Sequence, residues 1–419
     1  MIPIYWEKYI VGHLDIDGHG AAFIYEPRWV NTQNAFPLSL QMPLSIGRHE
    51  PGIVMPWLSN LLPEAEALSV IGRRLGVAQE DVIGLLTHIG HDTAGGMSIG
   101  APRQGERPEY RVVPDSSALE RIINDLPAKP FLAGEEGVSM SLAGVQDKIP
   151  VAVVDGQICI PTGGAPSTHI LKPDSSQRLF GSVENEALCL TLAKHCELAA
   201  AAVTTGVAGN RRYLLVSRYD RQPRPEGGWY RLHQEDFNQA LGKPPSAKYE
   251  RNQSGIKGPR LADMFAVVDR HMTASDRTRL LDAVIFNVLI DNTDTHAKNY
   301  SIMLSGRGAS LAPLYDLMCA SCWNVTRNMA QTIGGKDRGD HILGRHWQRM
   351  ADECGFNRTM ILGRVDLMTA RVLSKVDTAA AEVATLPGSG PAGMLEQFTA
   401  AIRKRCKTVH ENLRQAEGH

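Results

Sequence analysis

The chain has 419 residues, of which 43 % are hydrophobic and 21 % are charged, and its formal net charge is -1. This composition is ordinary for a globular chain that is long enough for two or three domains or one large two-lobed unit. The near-neutral charge excludes a global basic field for nucleic acid, so any contact with DNA would need a local patch or a partner protein. We find no signal peptide, and the most apolar stretch, residues 280–290, is about half a membrane span. We therefore expect a cytoplasmic protein with no membrane contact.

The seven cysteines are an odd number without the spacing of a disulfide framework, which favours reduced thiols in the cytoplasm. Cys319 and Cys322 have CxxC spacing. No second CxxC or histidine pair completes a zinc site, so we interpret this pair as two buried small residues.

The first hundred residues predict strands and turns followed by helices. Residues 12–30 predict a strand, a polar turn rich in Gly and Asp, and a second strand. Residues 66–90 predict two short helices broken at Gly76. Residues 102–130 are rich in Arg, Pro and Glu and predict a connection with one short helix.

The middle of the chain alternates between strand and helix signals. Asp155-Gly156, between two β-branched runs, predicts a hairpin with a type I′ turn. The remaining predictions, in chain order, are a Gly-rich loop and a strand ending at Lys172 (161–173), a helix (183–198), a strand (211–221) and a polar connector leading into a helix (231–242).

From about Phe237 onward the pattern is mainly helical. Thr273 and Asp276 resemble a capping box, and the helix that they begin is apolar nearly all round, which places it in a core. Two short strands, 300–304 and 308–317, are predicted around a Gly-rich turn, and residues 386–393 predict a linker before a last helix.

A polar cluster follows the apolar helix, in the sequence LIDNTDTHAKNY. Asp294 and Asn299 lie five residues apart, as do the aspartate and asparagine of the kinase catalytic loop HRDxxxxN. That spacing allows the carboxylate to meet an acceptor hydroxyl while the asparagine oxygen turns to a metal ion. Asp291 is the alternative candidate for the catalytic carboxylate, although it could instead orient the loop.

Three other features supply what phosphoryl transfer needs. Asp316 comes where a second magnesium ligand would come, Lys172 ends a strand in the preceding half, and residues 141–148 are a candidate phosphate loop with a single glycine. Each has an ordinary alternative: Asp294 and Asn299 as a cap or turn, Lys172 as a solvated strand end, Asp316 as a helix cap. Their joint occurrence in this order favours a kinase-like two-lobed fold.

The sequence resembles the HipA family of toxin serine/threonine kinases over nearly its whole length. The segments that carry the resemblance are PLSIG (43–47), WLSNLLPE (57–64), LLTHIGHDTAGGMSIG (85–100), SLAGVQDK (141–148), THILKP (168–173), ENEALCLTLA (184–193), HQEDFNQALG (233–242), DNTDTHAKNYSIM (291–303) and LAPLYDLM (311–318).

The resemblance implies an α+β, two-lobed protein-kinase-like fold with a β-rich N-terminal subdomain and an all-helical C-lobe. The predicted units are a β-rich HipA subdomain (1–105), a kinase-like N-lobe with the phosphate loop and the ATP lysine (106–236) and a helical C-lobe with the catalytic loop and the metal aspartate (237–419).

The resemblance also implies a role for individual residues, with ATP and Mg²⁺ as cofactors. Asp294 matches the catalytic base, Asn299 and Asp316 match the magnesium ligands, and Lys172 matches the lysine that binds the ATP phosphates. The other matched residues are the phosphate loop (Ala143, Gly144, Val145, Gln146, Asp147 and Lys148), the adenine hinge (Glu235, Asp236 and Phe237), the nucleotide-lining residues (His296, Ala297 and Lys298) and Tyr315 beside the metal aspartate.

Ser141 matches the serine that family members autophosphorylate, which expels the loop and switches the kinase off. A phosphate there would add a charge of about -1.5 to -2 beside the ATP phosphates. Ser139 is a second candidate, and the alternative is that either serine only bonds the loop backbone. Val145 and Asp147 depart from the Ala and Glu that are frequent in the family; neither change removes a catalytic group.

The implied function is a type II toxin kinase that causes growth arrest and persistence by phosphorylating a translation protein, such as glutamyl-tRNA synthetase. The implied partner is a HipB-like helix-turn-helix antitoxin, through which the chain would reach operator DNA. Two alternatives remain: a small-molecule kinase, and a non-catalytic corepressor that stabilises an antitoxin on DNA.

Overall fold

The computed structural model describes residues 1–18, 20–100, 107–175 and 179–415. The predicted boundary between residues 105 and 106, and the start of the predicted connection at 102–106, lie outside these ranges. The division into three units therefore stays a prediction.

The N-terminal unit is an antiparallel sheet in the order β4-β3-β2-β1-β5, covered by helices. Its elements are β1 Ile2–Trp6, β2 Tyr9–Asp17, β3 Gly20–Tyr25, α1 Pro27–Val30, β4 Arg48–His49, α2 Pro51–Ser59, α3 Ala65–Leu75, α4 Val82–Ile89 and β5 Met97–Ile99. The predicted hairpin and the predicted pair of helices are confirmed. Gly76 ends α3 in the left-handed conformation, with φ of 68°, which a side chain would make costly.

A second antiparallel sheet follows, in the order β10-β11-β9-β7-β8-β6. Its elements and neighbours are β6 Glu109–Val112, α5 Ser116–Asp125, β7 Ile149–Val154, β8 Gln157–Thr162, β9 His169–Pro173, α6 Ser182–His195, β10 Val203–Ala208, β11 Arg211–Ser217, β12 Arg221–Pro223 and β13 Trp229–Arg231. Asp155 and Gly156 both have positive φ, at 49° and 77°, which confirms the predicted hairpin turn.

The remainder is mostly helical. Its elements are β14 His233–Asp236, α7 Phe237–Ala240, α8 Leu261–His271, α9 Ala274–Leu289, β15 Ser301–Ser305, β16 Gly308–Leu311, β17 Asn328–Ile333, β18 Lys336–Arg338, α10 Gly344–Glu353, α11 Arg358–Ala384 and α12 Ala392–Arg414. Thr273 and Asp276 form the predicted capping box at the start of α9, and the second half of that helix is buried.

Three details differ from the sequence analysis. The C-lobe is not all-helical, because β15 to β18 lie within it. The predicted connector at 231–242 begins as a strand, β14, because β15 offers its edge for pairing. The predicted strand 308–317 ends at Leu311, because Leu314 turns away to bond the backbone of Ala199 and Ala201.

The hydrophobic core has two parts. A large cluster runs without interruption from the N-terminal unit, including Phe23 and Trp57, to the C-terminal helices, including Phe398. A smaller cluster lies between α5 and the second sheet and includes Ile149 and Leu171. The second sheet thus has a core of its own beside the rest of the molecule. Among the helices in the described ranges, none is long and apolar enough to cross a membrane.

Candidate active site

A cleft of about 860 Å³ lies where the second sheet meets the mainly helical part. Most of the residues predicted for the site line it: Ala143, Gly144, Val145, Gln146, Asp147, Lys148, Lys172, Glu235, Asp236, Asp294, His296, Lys298, Asn299, Tyr315 and Asp316. Four of the predicted residues are not part of this lining: Phe237, Ala297, Ser139 and Ser141. The fold therefore brings together residues that are up to 173 positions apart in the sequence (143 to 316).

Lys172 lies at the centre of the polar wall of the cleft. Its Nζ donates to Glu186 Oε1 and Oε2 at 2.8 and 3.0 Å, and to Asp316 Oδ1 at 2.7 Å. Burial alone would lower the pKa of Lys172, but the charges of Asp316 and Glu186 raise it above its usual value. The same contacts overcome burial and hold the pKa of Asp316 well below its usual range. The lysine and the aspartate are therefore both charged at neutral pH.

Glu186 is a site residue that the sequence analysis missed. It lies on α6 and is 1 % exposed. In protein kinases a glutamate on a helix pairs with the lysine that holds the ATP phosphates, and Glu186 has this position relative to Lys172. The available signal was an acidic residue among apolar ones in a helix predicted to be buried, since such a residue needs a cationic partner.

The two aspartates after α9 have different surroundings. Asp291 is buried with φ of 58°; its carboxylate accepts from Ser321 Oγ at 2.5 Å and pairs with Arg405 Nη2 at 3.1 Å. Asp291 is therefore an anchor between its loop and α12. Asp294 instead faces the cleft.

The surroundings of Asp294 restrict its carboxylate. Tyr249 donates its hydroxyl to Asp294 Oδ1 at 2.5 Å, and Asn299 Nδ2 donates to the Asp294 carbonyl oxygen at 2.8 Å. Withdrawal from bulk water and the charge of Asp316 raise the pKa of Asp294, which the hydrogen bond from Tyr249 partly offsets. One carboxylate oxygen, Oδ2, remains available to a substrate hydroxyl.

Asn299 and Asp316 fit a magnesium ion by their chemistry. The amide nitrogen of Asn299 is used within the loop, which leaves its oxygen as the ligand atom, and Asp316 is an ionised carboxylate. In the ranges that the structure describes, no group of three or more His, Cys, Asp or Glu side chains could hold a metal alone. Magnesium is typically bound by one or two carboxylates, waters and nucleotide phosphates, so two protein oxygens at this place suffice.

The candidate phosphate loop closes over the same wall. Gly144 has φ of 109°, a backbone conformation that residues with a side chain rarely adopt. The loop therefore requires glycine at this position. Burial and the positive charge of Lys172 lower the pKa of Lys148 to about 8. Val145, at the tip of the loop, is 66 % exposed.

The two candidate serines are held by backbone and short polar contacts. Ser141 is fully buried and donates its Oγ to the Leu61 carbonyl at 2.7 Å, while Ser139 Oγ accepts from the His91 amide at 3.2 Å. The backbone of Asp92 forms a β-bridge with the segment that contains both serines. Its N–H donates to the Ser139 carbonyl at 3.1 Å, and its carbonyl accepts from the Ser141 N–H at 3.0 Å. Either serine would have to leave this place to reach Asp294.

Asp92 itself is fixed by a buried cluster of charges. Its carboxylate pairs with Arg221 at 2.8 Å, Arg231 at 3.4 Å and Arg218 at 3.5 Å, and accepts from Ser167 Oγ at 2.6 Å. Burial opposes ionisation here, but the arginines hold the pKa of Asp92 well below its usual range. This cluster, which no sequence pattern indicated, fixes the base of the candidate phosphate loop.

The three predicted hinge residues use their side chains within the protein. Glu235 Oε1 accepts from the Leu40 amide at 2.8 Å, and burial raises the pKa of Glu235 to about 8. Asp236 caps α7 by accepting from the Gln239 amide at 2.8 Å, and Phe237 is fully buried. A nucleotide at this edge would meet the backbone of β14 rather than these side chains.

The remaining predicted residues surround the catalytic segment. The side chain of Lys298 donates from Nζ to Asn60 Oδ1 at 2.8 Å. The backbone carbonyl of Lys298 accepts from the Tyr315 hydroxyl at 2.6 Å. His296 stacks edge-on against Tyr249, and Ala297 is fully buried. Burial and the charge of Lys248 lower the pKa of His296 well below its usual value, so the imidazole is neutral.

The chain matches known protein families and relatives over most of its length. The HipA N-terminal domain matches residues 2–100, and the HipA-like C-terminal domain matches residues 140–379. The chain is 36 % identical over 394 residues to "Putative kinase Y4mE" of Sinorhizobium fredii, covering 92 % of this chain and 91 % of that protein. It is 29 % identical over 389 residues to "Serine/threonine-protein kinase toxin HipA" of Shewanella oneidensis, covering 89 % and 87 %.

A solved structure extends the likeness to the fold. The complex of HipA, HipB and operator DNA from Shewanella oneidensis contains a chain that matches with a TM-score of 0.85 and 26 % identity, covering 100 % of both chains. Since the two matched domains take up well over half of the sequence and the fold is shared along its whole length, this chain belongs to the HipA family.

Proposed function

We propose that the chain is a serine/threonine protein kinase that uses Mg²⁺ and ATP and acts as the toxin of a type II toxin–antitoxin module. The observation that carries the proposal is the ion-pair chain from Glu186 through Lys172 to Asp316, placed in one cleft with Asp294 and Asn299. This is the constellation that phosphoryl transfer between ATP and a hydroxyl needs. The names of the kinase relatives add support.

Each residue then has a defined part in the reaction. ATP supplies the phosphoryl group, and Mg²⁺ neutralises its developing charge. Lys172 binds phosphate oxygens and is held in place by Glu186. Asp316 and Asn299 would hold the metal ion through their side-chain oxygens. Asp294 orients the acceptor hydroxyl through Oδ2 and accepts its proton as the new bond between the hydroxyl oxygen and the γ-phosphorus forms, the bond from the γ-phosphorus to the bridging oxygen breaks, and ADP leaves.

The phosphate loop would contribute both binding and regulation. Backbone N–H groups of residues 143–148 bind the nucleotide phosphates, with Lys148 beside them. Ser141, or Ser139 as the second candidate, accepts a phosphate by autophosphorylation. The new charge cannot stay against the Leu61 carbonyl, where an acceptor oxygen already lies at 2.7 Å, so the loop leaves the cleft and the kinase switches off.

The proposed partners follow from the family and from charge. A helix-turn-helix antitoxin of the HipB kind binds the chain and carries it to operator DNA. The solved Shewanella oneidensis complex, which contains HipA, HipB and operator DNA, supports this assembly. A formal net charge of -1 suits this indirect contact. The proposed protein substrate is an aminoacyl-tRNA synthetase such as the glutamyl enzyme, and its phosphorylation in the cytoplasm would cause growth arrest and persistence. The proposed units are 1–105, 106–236 and 237–419.

Mass spectrometry after incubation with Mg-ATP tests the proposal. Wild type should gain phosphate on a peptide containing Ser141 or Ser139, and Asp294→Ala should gain none. Asp155→Asn, on an exposed hairpin turn away from the cleft, is the matched control and should behave as wild type. If wild type phosphorylates neither itself nor a purified glutamyl-tRNA synthetase, the kinase proposal fails. This result would favour the alternative that the chain is a non-catalytic corepressor.

A further inference from the structure

A second cavity, of about 340 Å³, opens next to the cleft. The N-terminal unit contributes Leu62, Leu68 and Val82 to its lining, and the segment before α8 contributes Pro245 and Tyr249. We call this cavity the apolar groove. Leu68 and Val82 are half-buried, so they remain accessible from outside the protein.

The apolar groove is continuous with the candidate active site. Glu64, Lys248 and Tyr249 line both spaces. Tyr249 forms the dividing wall and also bonds Asp294 Oδ1. The groove thus begins one side chain away from the candidate catalytic base.

Of the described residues that line the groove, two are charged, Glu64 and Lys248. Glu64 and Lys248 form a salt bridge with each other at the shared border. An incoming group at this place therefore meets an apolar surface with a neutralised rim, which favours an aliphatic or aromatic side chain over a charged one.

The position of Tyr249, which lines both spaces and bonds Asp294, suits a peptide bound at Asp294. An extended chain advances about 3.3 Å per residue, so the length of the intervening tyrosine side chain corresponds to ~2 residues. Consider a polypeptide that presents a hydroxyl to Asp294 and continues past Tyr249. The side chain that lies two or three residues away from the acceptor residue would then be placed over the groove.

We propose that the apolar groove binds one apolar side chain of the protein substrate, two or three residues from the phosphoacceptor serine or threonine. This inference rests on the proposed kinase function and adds a specificity determinant to it. Leu, Met and Phe are the side chains of suitable size and polarity. Burying one of them would raise kcat/KM by about 10- to 100-fold over alanine.

A panel of synthetic serine peptides tests the groove. Each peptide carries Leu, Ala or Asp at one position from three before to three after the serine, with alanine elsewhere. Wild type should prefer Leu over Ala by about 10-fold or more at one of the positions two or three residues away. Leu68→Lys should lose that preference and gain one for Asp at the same position, while its Mg-ATP affinity stays that of wild type.

Leu367→Lys is the matched control, because Leu367 is 57 % exposed on α11 and lines neither space. It should keep the wild-type preference. The groove assignment fails if an enzyme that autophosphorylates shows no apolar preference, phosphorylates none of the peptides, or keeps its preference in Leu68→Lys. An enzyme that neither autophosphorylates nor phosphorylates any substrate overturns the kinase proposal as well.

Discussion

At the scale of single residues, the decisive feature is that Lys172 has two acidic partners. Glu186 holds the lysine from the helix side, and Asp316 holds it from the cleft side. A magnesium ion and nucleotide phosphates would replace the contact with Asp316 but not the one with Glu186. The two carboxylates therefore have separable roles.

Glu186→Gln should lower the rate of autophosphorylation by about 10- to 100-fold, because the amide cannot fix the charged lysine as a carboxylate does. Rates are measured by phosphopeptide mass spectrometry at saturating Mg-ATP. Glu382→Gln, an exposed residue of α11 that pairs with His195, serves as control. A wild-type rate in Glu186→Gln would contradict the positioning role.

Tyr249→Phe should lower kcat about 5- to 30-fold without changing the KM for ATP, because the hydrogen bond that orients Asp294 is lost while the nucleotide contacts remain. Steady-state kinetics with a protein substrate separate the two constants. A rise in kcat would mean that the tyrosine blocks the base rather than orients it.

The buried Glu235 should make the free energy of unfolding of the protein depend on pH. Burial raises its pKa in the folded protein to about 8, from a value near 4.5 in an unfolded chain. The folded state therefore binds the proton more tightly, and the stability that protonation provides is lost as pH rises from about 4.5 through about 8. Glu235→Gln should match wild type near pH 5 and exceed its free energy of unfolding by a few kcal/mol near pH 9.

Denaturant titrations of both proteins across this pH range provide the measurement. The informative quantity is the difference between the two proteins, since other titrating groups, such as Lys148, affect both equally. A difference that does not change with pH would show that Glu235 is ionised in the fold.

At the scale of elements, the base of the phosphate loop is clamped by a strand-like contact. Asp92, in the loop between α4 and β5, bonds the backbone of residues 139–141 and is itself held by three arginines. The N-terminal unit thus fixes the loop that would cover the nucleotide. Expulsion of the loop would require the two backbone bonds to Asp92 to break.

Asp92→Asn should destabilise the protein by about 3–5 kcal/mol, because it removes a buried carboxylate that three arginines share: Arg231 loses its ion pair with Asp92, and Arg218 and Arg221 keep only their pairing with Asp220 among the ion pairs of this cluster in the described residues. It should also raise amide hydrogen exchange in residues 139–148 before global unfolding occurs. Peptide-resolved exchange measures both effects. Unchanged protection of this segment would show that the clamp does not hold the loop.

The elements also show what the sequence could and could not predict. Hairpins, caps and the buried helix α9 depend on neighbouring residues, so local patterns predicted them correctly. Strand β14 and the early end of β16 depend on partners far along the chain, Ile302 and Ala199 among them, which no local pattern reveals. The same limit explains why spacing and family resemblance identified Asp294 and Lys172 as candidates, whereas Glu186, Tyr249 and Asp92 emerged only from contacts across the fold.

At the scale of the whole molecule, one core connects the N-terminal unit with the C-terminal helices, and the second sheet has a smaller core of its own. Lys298 reinforces the first connection, since it joins the catalytic segment to Asn60 of the N-terminal unit. The cleft therefore lies between this large continuous body and a sheet that also packs against it, through Leu214 and Val216 of β11.

The assignment of the cleft as a metal-dependent kinase site is tested most directly by the affinity for ATP. Titration calorimetry measures it with and without Mg²⁺ for wild type, Asp294→Ala and Asp316→Ala. Asp294→Ala should bind Mg-ATP like wild type yet transfer no phosphate, because the base touches the acceptor rather than the nucleotide. Asp316→Ala should lose both transfer and the magnesium-dependent part of the affinity. Equal affinity of wild type and Asp316→Ala in the presence of magnesium would contradict the assignment of this cleft as a metal-dependent kinase site.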